Sequence, residues 1–219
     1  RLSENMTALS RDELELGETK KKVSDGGTLG ARIRRLLDDP YEELDPHVWM
    51  DPIVVAAWAI VIANSLSGLD PINKESYTRN AITLEDELYR LDDWVKQRVA
   101  TIPLNQRVLV TDHLSFGYFA NRYNFRLQES VVGGSTTASQ LSARHLSELR
   151  DAIIANQIPA IFVGTTVNFQ IADTIARELG IKMVVLYTDS LSDSDGPASS
   201  YQDYVFTNVN RIVEALTEN

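Results

Sequence analysis

The sequence contains no cysteine among its 219 residues. Disulfides, thiolate zinc sites and a thiol nucleophile are therefore excluded, and the redox compartment is left open. Histidine is scarce as well. His47, His113 and His145 are the whole supply, so any imidazole chemistry falls on one of three positions. Positive charge is short, with 21 Lys and Arg against 31 Asp and Glu and a net charge of −10. That balance argues against a nucleic-acid partner, whose phosphates need clustered cations, and suits a cationic ligand better. The most apolar run, Ile53 to Ala63, has 11 residues, short of the ~20 that a bilayer span requires. An all-round apolar helix of that kind is expected to be buried between other elements. The Walker A pattern, a Gly-x-Gly-x-x-Gly turn and a Gly-x-Ser-x-Gly elbow are all missing. Nucleotide cradles and the usual serine-hydrolase geometry lose their support with them. The chain opens on Arg1 with neither an initiator Met nor a signal sequence, which reads as a piece of something longer.

What is present describes a folded chain. Hydrophobic residues make up 43%, with 3 Trp, 8 Tyr and 6 Phe, enough for a core and incompatible with general disorder. Residues 1–39 balance eight basic against eight acidic side chains. With Lys20-Lys21-Lys22 and Asp25-Gly26-Gly27, that segment reads as a solvated loop holding one short helix, Leu29 to Leu37. Asp51-Pro52 and Ser67-Gly68 bracket the apolar helix as start and stop signals. Tyr77, Ala81, Leu84, Leu88, Leu91, Val95, Val99 and Ile102 then recur at spacings of three and four up to Pro103, the stripe of a long amphipathic helix.

From Arg107 onward, strands and helices alternate. Strands are expected at Arg107 to Thr111, Phe125 to Val131, Pro159 to Val163 and Lys182 to Tyr187. Helices are expected at Ser115 to Tyr123, Ser142 to Asn156, Asn168 to Leu179 and Ser200 to Thr217. Four βα units predict a parallel, doubly wound α/β sheet with helices on both faces. Ligands of such sheets bind beyond the carboxyl ends of the strands. Those ends carry Thr111-Asp112-His113, a Gly133-Gly134-Ser135-Thr136-Thr137 loop, Val163-Gly164-Thr165-Thr166 and Tyr187-Thr188-Asp189-Ser190. His113 with Asp189 is the notable pair, since imidazole and carboxylate are ligands for zinc, manganese or ferrous iron. Asp112 either caps the next helix or orients His113. His47 lies in Asp45-Pro46-His47-Val48-Trp49-Met50-Asp51-Pro52, where two prolines and a Trp would hold the ring in one direction. His145, between polar neighbours on a helix, reads as a solvated residue.

Several of these runs are familiar together. Asp45-Pro46-His47-Val48-Trp49-Met50-Asp51-Pro52, Val110-Thr111-Asp112-His113-Leu114-Ser115-Phe116-Gly117-Tyr118-Phe119 and Leu186-Tyr187-Thr188-Asp189-Ser190-Leu191 resemble, in order and spacing, the zinc/manganese solute-binding proteins of bacterial metal ABC transporters. The resemblance extends over residues 40–219. It implies two α/β lobes joined by one long helix, with a divalent metal in the cleft between them. Residues 1–40 would then be a variable loop at the end of the N-terminal lobe, and residues 41–73 a helical remnant of that lobe. Residues 74–103 would be the connecting helix and residues 104–219 a four-stranded C-terminal lobe. His47, His113 and Asp189 match the family's second, third and fourth ligands. The first, a histidine of the N-terminal lobe, has no counterpart, because no histidine precedes His47.

The function implied is non-enzymatic: capture of zinc or manganese outside the cytoplasm and delivery to a metal ABC-transporter permease. His113, where manganese-selective relatives often carry Glu, tilts the choice toward zinc. The location implied is periplasmic or extracytoplasmic and membrane-anchored, with any lipid anchor on a missing N-terminus. Three ligands instead of four imply weakened or absent binding in this chain, and a bared lobe remnant implies self-association. Two alternatives compete. One is a metal-assisted hydrolase with Asp112 or Glu129 as base, distinct from a serine hydrolase for which Ser115 could be imagined as nucleophile; the other is a surface adhesin with a vestigial site.

Overall fold

The computed structural model describes residues 45–128, 143–166 and 170–217. The expected loop and short helix before residue 45, the Gly133 to Thr137 loop, Glu129 and the side chain of His145 lie outside the described residues. The chain enters through a 3-10 turn, Val48–Met50, and then forms α1, Pro52–Leu69. Pro52 occupies the first turn and the Asp51 carboxylate accepts the Ile53 N–H at 2.9 Å, a side-chain cap with a proline that needs no donor. The helix runs past Ala63 to Leu69. Ser65 and Ser67 turn their hydroxyls back onto the carbonyls of Val61 and Ala63, which lets polar residues continue it.

That extension corrects two expectations. At 18 residues with a mean hydropathy of 1.8, α1 is long and apolar enough to cross a membrane by length and composition. It is also not buried all round: only Pro52, Ala56 and Ala63 are, while Leu69 and, just beyond, Ile72 are 84% and 94% exposed. Among the described residues α1 packs chiefly along one neighbour, α2, Lys74–Val99. A helix covered on one side buries one stripe, whatever its other sides carry.

The α2 helix has 26 residues, a length of ~39 Å. Its buried stripe, Ala81, Leu88, Leu91, Asp92, Val95 and Val99, follows the predicted spacing with one polar intruder. Regular helix ends at Val99, and a short hydrogen-bonded turn carries the chain through Ile102 to Pro103.

Beyond it the alternation is as expected. β1 (Val108–Leu109), α3 (Gly117–Tyr123), β2 (Arg126–Leu127), α4 (Ala143–Ala155), β3 (Ala160–Gly164), α5 (Gln170–Leu179), β4 (Lys182–Leu186) and α6 (Tyr201–Thr217) follow in order. β1 pairs parallel with β2, and β3 pairs parallel with β4. The two pairs are joined where Thr111 bridges Phe162 in parallel. There Phe162 N–H donates to Val110 O (2.8 Å) and Asp112 N–H to Phe162 O (3.0 Å). The resulting order is β2-β1-β3-β4. β1 and β2 are shorter than their predicted runs, and the expected extension of β2 to Val131 passes outside the described residues.

Alternating residues of the strands face opposite layers. Leu109, Ala160, Phe162 and Leu186 join α2, α3 and α6 in one core. Val108, Val110, Ile161 and Val163 join Leu149, Ile153 and Ile175 of α4 and α5 in another. Both faces of the sheet are therefore covered, as a doubly wound parallel sheet requires. Because β1 has β2 on one side and β3 on the other, the strand order reverses there. The crevice beyond the carboxyl ends of β1 and β3 is where such a fold receives a ligand.

Candidate metal centre

Three short segments meet at that crevice. The first is the turn carrying His47. Its ring Nδ1 lies 2.7 Å from Asp45 Oδ1, and the same oxygen accepts the His47 backbone N–H at 2.9 Å. Asp45 thus fixes the ring's direction and leaves Nε2 to face the crevice. Trp49 packs edge-on against the ring with centroids 5.4 Å apart. The other Asp45 oxygen sits against Gly117, where a Cβ would collide with it; only glycine admits the carboxylate so close to the start of α3.

The second segment follows β1. His113 is 3% exposed, and its Nδ1 lies 2.9 Å from Asp112 Oδ2. Of the two roles foreseen for Asp112, orienting is the one it takes: α3 begins after Phe116 with no side-chain cap. The Thr111 hydroxyl donates to His113 O at 2.6 Å and closes the loop. The hydrogen bond to Asp112 raises the His113 pKa above its ordinary value. Burial opposes this, and the charges of Asp112, Asp189 and Asp45 add to it.

The third segment follows β4. Asp189 Oδ2 accepts hydroxyls from Thr166 and Thr188, each at 3.0 Å. Its Oδ1 lies 3.8 Å from His47 Nε2. The Thr188 carbonyl, one residue earlier, accepts both Trp49 Nε1–H (2.9 Å) and the Tyr204 hydroxyl (2.9 Å). Tyr201 of α6 donates to the Trp49 carbonyl at 2.8 Å. Two tyrosines of one helix thereby tie the His47 turn to the Asp189 loop, and burial raises the pKa of both phenols. A close approach is also left open at Gly164, where a side chain would strike Thr188 Oγ1.

The outcome is a convergence. His47, His113 and Asp189 each present one ligand-type atom, and all three atoms lie within 4.8 Å of one another. The two imidazole rings are 5.1 Å apart, tilted by 58°. Both histidines are buried and Asp189 is partly open to solvent. Two imidazoles and a carboxylate, each held by a hydrogen bond on its far side, form a donor set that divalent transition metals accept. Ser115, the imagined nucleophile, is fully buried and its Oγ has no hydrogen-bond partner among the described residues. No base activates it there.

Sequence reading missed the supports. Asp45 and Thr188 hold neighbours one or two residues away, whereas Thr166, Tyr201 and Tyr204 act across chain separations that no local motif records. Trp49 and Thr188 are 139 positions apart, and only the strand-end rule placed Thr166 and Thr188 near the crevice.

The chain is a member of the family described as zinc-uptake complex component A, periplasmic (ZnuA), which matches residues 2–215. It is 31% identical to the manganese-binding lipoprotein MntA of Halalkalibacterium halodurans, covering 82% of this chain and 60% of that protein. It is 30% identical to the iron-binding protein YfeA of Yersinia pestis, covering 86% and 61%. The solved structure of the periplasmic zinc-binding protein TroA of Treponema pallidum superposes with a TM-score of 0.73 at 29% identity, covering 81% of this chain and 66% of that one. The chain thus spans about 60% of the length of the curated relatives it matches. Relatives in this family include metal ABC transporter substrate-binding lipoproteins, and the metals for which they are named are manganese, iron and zinc.

Proposed function

We propose that this chain acts as a receptor that binds a divalent transition metal outside the cytoplasm and passes it to the permease of an ABC transporter. His47, His113 and Asp189 are the ligands in this reading, with zinc favoured over manganese because two imidazoles outnumber one carboxylate. Residues 104–219 form the C-terminal lobe, residues 74–103 the connecting helix and residues 41–73 part of the opposite lobe. The metal is cargo, so no bond-making chemistry is required of the protein. Binding replaces water by three protein donors, and release needs only that the donors part. Membership of a family of periplasmic zinc-uptake components, with lipoproteins among the relatives, supports the location. The observation that carries the reading is the convergence of three donor atoms from three separate segments within 4.8 Å.

Calorimetric titration with zinc and then with manganese at neutral pH tests it. With three donors in place, saturable binding weaker than that of a four-ligand site is expected, lost when His113 and Asp189 are both replaced by alanine. Binding that survives that double replacement would overturn the ligand assignment.

A further inference from the structure

A buried charge cluster lies away from the three donor atoms and touches none of them. Asp92, the polar residue within the apolar stripe of α2, is 1% exposed. Its carboxylate receives Arg122 through both Nε (2.5 Å) and Nη2 (2.6 Å), the Tyr123 hydroxyl (2.8 Å) and Lys96 Nζ (2.7 Å). A bidentate guanidinium is directional as well as strong. The same Arg122 Nε lies 3.3 Å from Asp51 Oδ1, and Asp51 is the residue that caps α1. Asp51 and Asp92 repel one another, and Arg122 stands between them. Removing it would leave two like charges facing each other, with Lys96 as the remaining cation at Asp92.

The chain positions of these groups give the cluster its meaning. Asp51 lies four residues after His47, at the end of a single 3-10 turn. Arg122 lies on α3, the helix that begins four residues after His113. Asp92 lies on the long helix. One guanidinium therefore joins both histidine-bearing segments and seats both on α2. A second contact, Asp45 against Gly117, joins the same segments nearer the histidines. The two junctions leave the His47 turn and the His113 loop little freedom to slide past each other.

We propose that Arg122 is a positioning residue, a clamp between Asp92 and Asp51 that fixes the separation of His47 and His113 and thereby tunes how the metal is held. This rests on the metal reading above, and the test separates the two. Cobalt(II) serves as the probe in the full chain, because its visible absorption reports ligand geometry in the saturated site and its titration reports affinity. Two gentle variants are used: Arg122→Lys keeps the charge and loses the fork, and Asp51→Asn keeps a helix cap and weakens the Arg122 contact. Thermal melting of the metal-free proteins provides the folding control, and Asp51→Asn is expected to melt close to the unaltered chain. Both variants are expected to bind cobalt about tenfold more weakly, with an altered absorption band even at saturation. A role confined to stability would leave that saturated spectrum unmoved. Unchanged affinity and spectrum in both variants, with normal binding by the unaltered chain, would overturn the clamp and leave the metal reading standing. No cobalt or zinc binding by the unaltered chain would overturn the metal reading itself.

Discussion

At the scale of single residues, each ligand candidate is paired with a group that aims it. Asp45 holds His47 and Asp112 holds His113 through the ring nitrogen that does not face the crevice. At His113 that carboxylate also makes a proton a competitor of the metal. Because the His113 pKa lies above its ordinary value, the ring charges at a higher pH than a free imidazole would, and a charged ring cannot ligate. Metal affinity is therefore expected to fall on acidification from a point above the usual imidazole range near ~6.5. Asp112→Asn is expected to move that fall to lower pH, as titrations repeated across pH would record. The metal-free protein should respond in the opposite sense. A raised folded pKa stabilises it at low pH, and that contribution is lost as pH rises through the folded value. Melting temperatures with and without metal should thus diverge as pH increases.

Asp92 has the reverse sign. Burial is the largest single influence and pushes its carboxyl upward, yet Arg122, Lys96 and Tyr123 together leave it below the ordinary value. Its stabilising contribution is complete above the unfolded carboxylate range and is lost as pH falls through the lower folded value. Replacing Asp92 by alanine leaves the partly buried Arg122 with only the more distant Asp51 carboxylate, and a loss of about 2 kcal/mol is expected in denaturant unfolding. A loss below about 0.5 kcal/mol would show that solvent satisfies Arg122 instead.

At the scale of elements, α6 is more than a layer of the fold. Its Tyr201 and Tyr204 reach the Trp49 and Thr188 carbonyls, so one helix face registers the His47 turn against the Asp189 loop. Asn208 continues the same role by donating to Tyr187 O and accepting its N–H. Tyr204→Phe removes one buried hydroxyl and should cost about 1 kcal/mol. It should also weaken metal binding, since the Thr188 carbonyl loses one of its two donors. Calorimetry beside thermal melting would separate these effects. Along α2 the contrast is steeper. Leu88 is fully buried and Ile72, in the turn before the helix, is almost fully exposed. Leu88→Ala should therefore cost about 3 kcal/mol, while Ile72→Ser should fall within about 0.5 kcal/mol of the unaltered protein.

At the scale of the whole molecule, alternation of pattern from Arg107 onward was enough to foresee four parallel strands with helices on both faces. The reason is physical: a βα repeat can cover both sheet faces in few ways, and handedness removes most of those. The meeting of His113 with Asp189 was legible from the strand-end rule, and that of His47 with them from the motif resemblance. The burial of α1 was not legible, because periodicity reports how apolar a helix is and not what stands beside it. Asp92 was missed for a related reason. A lone acid in an apolar stripe has no local signature, and its partner Arg122 lies 30 positions away. The Tyr201 and Tyr204 supports were hidden in the same way. Each is an ordinary polar residue until the fold brings its partner close.

In the proposed function, two imidazoles and one carboxylate from separate segments grip a single divalent ion. X-ray absorption at the zinc edge, on the zinc-loaded chain and on His47→Ala and His113→Ala variants loaded alike, tests it most directly. Imidazole scattering is expected in the unaltered protein and should be halved in each variant. An oxygen-only shell, or an imidazole signal unchanged by both substitutions, would contradict the account.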